Sequence, residues 1–77
     1  MGEMTVLEFD NTTEYKIREV IEKAGFYSKI NKSGVTTIID KNSSQADNYA
    51  DMRFMTLREA VRALQSYLIK AKYRIVI

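Results

Sequence analysis

Two stretches of this chain set apolar residues at helical spacing behind an N-terminal capping signal, so the remaining segments must supply the layer against which both helices pack. In the first stretch Asn11 can cap a helix, with Glu14 at the third helical position to bond back. Ile17, Val20, Ile21 and Ala24 follow as one apolar stripe, and Glu19 and Lys23 stand four apart on the wet side. Gly25 can take the left-handed conformation that closes a helix, which places Phe26 to fold back on Ile21. The pattern predicts a helix over 12–24. In the second stretch Thr56-Leu57-Arg58-Glu59 is a capping box, with Met55 positioned to pack on Ala60 as a staple. Leu57, Ala60, Val61, Leu64, Leu68 and Ala71 form its buried stripe.

The segments around these helices read as strands. Leu7 and Phe9 alternate with Glu8 and Asp10 in a run from Thr5. Phe26–Asn31 and Val35–Asp40 form a hairpin across Lys32-Ser33-Gly34, with Gly34 at the left-handed position of the turn. Val35, Thr37 and Ile39 share one face of the second strand and Thr36, Ile38 and Asp40 the other. Leu7, Phe9 and Ile39 are expected on the helix-facing side. Tyr73 to Ile77 reads as a closing strand.

Strand, helix, strand, strand, helix, strand is the βαββαβ order of a ferredoxin-like α+β sandwich: a four-stranded antiparallel sheet with two helices on one face. The alternative is another small α+β sandwich in which residues 50–55 add a strand. Residues 41–55 give no clear period, and a structureless connection of that length is unusual in a compact domain.

Seventy-seven residues are expected to form one domain, spanning 1–77, with a thin core. The chain has no cysteine, which excludes disulfides, thiolate metal sites and thiol catalysis and favours a reducing, cytoplasmic setting. It has no histidine, the commonest general base near neutral pH and the commonest metal ligand. Glu8 and Asp10, or Asp47 and Asp51, could pair their carboxylates, but each pair reads as solvated surface. The Asp40–Asp51 stretch lacks the calcium-loop pattern and its glycine, and the three glycines form no phosphate loop. Neither a signal peptide nor a membrane span is read, and no cofactor or metal is expected. A non-enzymatic protein is the expectation.

Two binding surfaces remain. The first is for a protein partner, a second copy included: Tyr49, Met52 and Phe54, with the exposed edge of the last strand at Tyr73, Arg74 and Val76. It implies a small regulatory or adaptor protein, of a size that suits an accessory protein of a phage or mobile element. The second is for nucleic acid. Net charge is +2, and after Glu59 the sequence carries Arg62, Lys70, Lys72 and Arg74 with no acidic side chain. Together with Tyr27, Lys29 and Arg58 these are the candidate contacts, although no signature of an RNA-recognition domain is present.

Overall fold

A computed structural model describes residues 2–41 and 52–77. The elements in chain order are β1 (Thr5–Glu8), a single 3-10 turn at Phe9–Asn11, α1 (Glu14–Lys23), β2 (Phe26–Ile30), β3 (Thr36–Asp40), β4 (Met52–Phe54), α2 (Leu57–Ala63), α3 (Gln65–Lys70) and β5 (Tyr73–Val76). The chain is a small α+β structure with two sheets, one of three antiparallel strands in the order β2-β3-β4 and one formed by β1 and β5 in parallel.

This pairing departs from the four-stranded antiparallel ferredoxin-like sheet that the element order predicts, and the cause is β4. A ferredoxin-like chain runs through two strands between its helices, so its last strand comes back antiparallel to its first. Here a third strand lies between them, and that extra reversal brings β5 in parallel to β1, with Thr5 opposite Tyr73 and Leu7 opposite Ile75. The alternative reading, an added strand within 50–55, matches β4.

The helices cover one face of the three-stranded sheet. Ile17, Val20 and Ile21 of α1 are buried together with Phe26, Ile38, Ala60, Val61, Leu64, Leu68 and Ile75. Burial of these side chains is the main term favouring the fold, at about 25 cal/mol for each Å² of apolar surface removed from water. Arg18 ties α1 to β2 by donating from Nε to the Ser28 hydroxyl and from Nη2 to the Ser28 carbonyl.

Local signals act close to where the sequence places them, with several shifts. The cap of α1 is Thr13, whose Oγ1 accepts from the Lys16 amide, and not Asn11, which lies in the 3-10 turn and donates to the Glu8 carboxylate. That turn also ends β1 at Glu8, two residues before the expected strand end. At α2 the capping box forms: Thr56 accepts from the Glu59 amide, and the Glu59 carboxylate accepts from Met55 N–H, one residue earlier than the usual partner. The expected Met55 staple does not bury its side chain, which is 71% exposed. The second helix bends at Leu64 (φ −95°, ψ 9°) into two short helices, while the stripe Ala60, Val61, Leu64, Leu68 stays buried across the bend. Gly25 (φ 102°) and Gly34 (φ 87°) take left-handed conformations at the helix end and the hairpin turn.

Candidate functional site

The β1–β5 pair forms a narrow ribbon. In a parallel ladder, alternate residues of each strand direct both backbone groups toward the neighbour. The Thr5 amide donates to the Lys72 carbonyl, so Thr5 and Leu7 face β5. Val6 and Glu8 therefore direct their N–H and C=O groups away from it. The Glu8 carbonyl accepts from the Thr12 hydroxyl. Val6 has no backbone partner on that side among the described residues. On the opposite edge Tyr73 and Ile75 face outward, and there the Gln65 amide donates to the Ile75 carbonyl. Each edge is thus capped at one carbonyl, β1 at Glu8 and β5 at Ile75, and both outward groups of Val6 lack a partner among the described residues.

One face of the ribbon packs inward through Leu7 and buried Ile75. The other presents Val6 opposite Arg74 and Glu8 opposite Val76. Val6 is 58% exposed and Val76 44%. Of the residues expected at a protein interface, Arg74 and Val76 lie here. Tyr73 is half-buried against the core, and its hydroxyl accepts from Lys23 Nζ at 3.2 Å. That hydrogen bond is the first cause holding the Lys23 ammonium above its ordinary value, ahead of its interaction with Glu19. Met52 and Phe54 are half-buried in β4 and pack on the core, away from the ribbon's exposed face. Tyr49 lies outside the described residues, as do Asp47 and Asp51. Leu7 and Phe9 pack inward as the alternation predicts, but the open edge beside Val6 depends on how β1 pairs, which the sequence does not reveal.

The second surface is the outer face of the three-stranded sheet. Thr36 and Ile38 turn inward and are fully buried, so Tyr27, Lys29, Thr37, Ile39 and Arg53 stand on the opposite side. Ile39 is thus on the outer face and not the helix-facing one. Lys29 and Tyr27 are exposed there, and Arg53 joins them. It escaped notice in the sequence because nothing there fixes β4.

The remaining basic candidates do not converge on that face. Arg58 forms an ion pair with Asp10, and its guanidinium lies 4.6 Å from the Phe9 ring centroid. Lys70 Nζ sits 6.0 Å from the Tyr67 ring centroid, Lys72 lies against Gly2 and Arg62 is exposed on α2. Among the described residues no group of three or more acidic side chains is placed to hold a metal ion, and no helix is long and apolar enough to cross a membrane. Comparison with protein-family models, curated proteins and solved structures returns no match.

Proposed function

We propose that this protein is a small binding domain, not an enzyme, that engages another polypeptide by adding a strand to β1. The observation that carries this reading is the outward pair of backbone groups on Val6, which meet no partner among the described residues, beside an exposed apolar face. An added strand would satisfy both groups, with main-chain bonds supplying affinity and alternate side chains supplying selectivity. Glu8 and Arg74 flank Val6 and Val76 on the exposed face and would fix the register of an incoming strand by charge. A two-stranded ribbon gains most from a third strand, because isolated strand pairs are marginal in water.

A second copy of the chain meets the same requirements. An antiparallel pair of β1 strands centred on Val6 sets Glu8 opposite Met4 of the other copy and keeps the two Glu8 carboxylates apart. A homodimer is therefore one form of the proposal.

A photo-crosslinking amino acid placed at position 6 in the intact chain, in its native cells, tests it. The expected result is a discrete crosslinked polypeptide, this chain or another, that is absent when the same group replaces exposed Tyr15 on α1. Identical products from both positions, or none from position 6, would overturn strand addition at β1.

A further inference from the structure

The outer face of the three-stranded sheet carries a second, independent site. The register sets Lys29 opposite Thr37 and Thr37 opposite Arg53, so the three side chains stand in one row across β2, β3 and β4. Neighbouring strands are about 4.8 Å apart, which places the Lys29 and Arg53 backbones about 10 Å apart with the threonine hydroxyl between them. Both basic residues are exposed, and neither side chain makes a hydrogen bond or ion pair with a described residue. The adjoining row is Tyr27 opposite Ile39, with Tyr27 half exposed. Lys41 Nζ lies 5.0 Å from the Tyr27 ring centroid, although it is also held by Glu22.

Two cations that pair with no described residue, bracketing a hydroxyl, form a cradle for an anionic oxygen. Next to that cradle is an aromatic and apolar row, which suits a planar ring. The pairing of charge with an adjoining flat apolar row is the arrangement that binds single strands, in which a basic track follows the backbone and rings stack on aromatic side chains. A duplex hides its bases and is read by an element that enters a groove, whereas Lys29, Thr37 and Arg53 stand in a row across the broad face of a sheet. We infer that this face binds single-stranded nucleic acid, with a phosphate against Lys29, Thr37 and Arg53 and a base on the Tyr27–Ile39 row. The site shares no residue with the β1 edge, so either proposal can fail without the other.

Lys29 and Arg53 also lie on the two outer strands of their sheet, where charge discourages unwanted strand pairing. That role alone predicts no ligand, and fluorescence anisotropy with short labelled oligothymidine and oligouridine separates the two. Binding is expected at low salt and should weaken as salt rises. Replacing both cations (Lys29→Gln with Arg53→Gln) should lower the slope of log affinity against log salt by about 0.7, the value for the one phosphate that they share on a single strand. Tyr27→Ala should weaken binding roughly tenfold. Lys16→Gln, on α1 and paired with Glu19, should change neither. Circular dichroism of each variant should match the parent. No anisotropy change at low salt, an unaltered slope in the folded double variant, or equal binding of a duplex or of polyglutamate would overturn the inference.

Discussion

Arg58 of α2 reaches back along the molecule to Asp10 in the turn after β1, with its guanidinium over the Phe9 ring. The two residues are 48 positions apart, and their contact ties the N-terminal turn to the start of α2. It also explains an arginine near a helix N-terminus, where the helix dipole disfavours a cation. The nearby Asp10 carboxylate offsets that field.

The pair is partly exposed, with side chains 40% and 75% accessible, so its worth is modest. A double-mutant cycle with Arg58→Ala and Asp10→Ala, read by urea unfolding, should give a coupling of about 0.5 kcal/mol, falling as salt is added. Arg58→Lys should retain part of the charge term while weakening the contact with Phe9. A coupling near zero at low salt would show that the ion pair contributes nothing in solution.

Thr36 is 1% exposed, and its hydroxyl oxygen is buried with no hydrogen-bond partner among the described residues. A hydroxyl removed from water without a replacement bond costs about 1–3 kcal/mol. Thr36→Val keeps the branched shape and removes that cost, so it should stabilise the protein by about 1 kcal/mol in chemical denaturation. A loss of stability would mean that the hydroxyl does find a partner in the folded state.

Lys72 follows α3 with φ 68°, a left-handed conformation that glycine takes without steric cost. Lys72→Gly relieves strain of about 1–2 kcal/mol and adds backbone entropy to the unfolded chain, so the net gain should be within about 1 kcal/mol. Gly25→Ala, at φ 102°, should destabilise by about 1 kcal/mol even though space around a new Cβ is open. Opposite signs for the two substitutions in parallel melts are the expected outcome.

Lys23 titrates above its ordinary value of 10.5, first because of the Tyr73 hydroxyl and then because of Glu19. A folded-state value above the unfolded one means that this contribution is fully present at neutral pH. It is lost as pH rises past 10.5 and through the raised value. Tyr73→Phe removes the leading cause, so the Lys23 side-chain nitrogen, followed by NMR, should titrate closer to 10.5. The stability gap between the variant and its parent should narrow over the same alkaline range. An unchanged titration would place the Lys23–Tyr73 contact outside the solution structure.

The elements legible in the sequence are those with local causes. The stripe Ile17, Val20, Ile21 needs only helical periodicity, Gly25 and Gly34 need only a positive φ, and the Thr56–Glu59 box is closed within four residues. What escaped depends on contacts between distant segments. β4 is three residues long with exposed Arg53 at its centre, too short for a period of two to show, and only its pairing with β3 defines it. The ferredoxin-like order omits that strand and so reverses β5, whereas the alternative with a strand in 50–55 includes it. The cap of α1 lies in a run of three capping residues, Asn11-Thr12-Thr13, and the 3-10 turn decides among them. The bend at Leu64 carries no proline or glycine to announce it. The candidate sites inherit the same limit. Lys29 was readable on an outer strand face, but its alignment with Arg53 through Thr37 needed β4, and the open edge at Val6 needed the direction of β5.

The parallel ribbon joins Thr5 to Tyr73, nearly the full span of the chain. A nascent polypeptide emerging from the ribosome can build its hairpin and first helix early, but β1 must wait for β5 before it has any backbone mate. During that interval the segment Thr5–Glu8 is an unsatisfied strand beside newly made apolar surface. Closing so long a loop is also the slow step expected of high contact order. A permuted protein that begins at the hairpin turn and links β5 to β1 through a crossover of about a dozen residues, long enough to run back along the parallel pair, would make this pairing local, and it should fold faster than its parent.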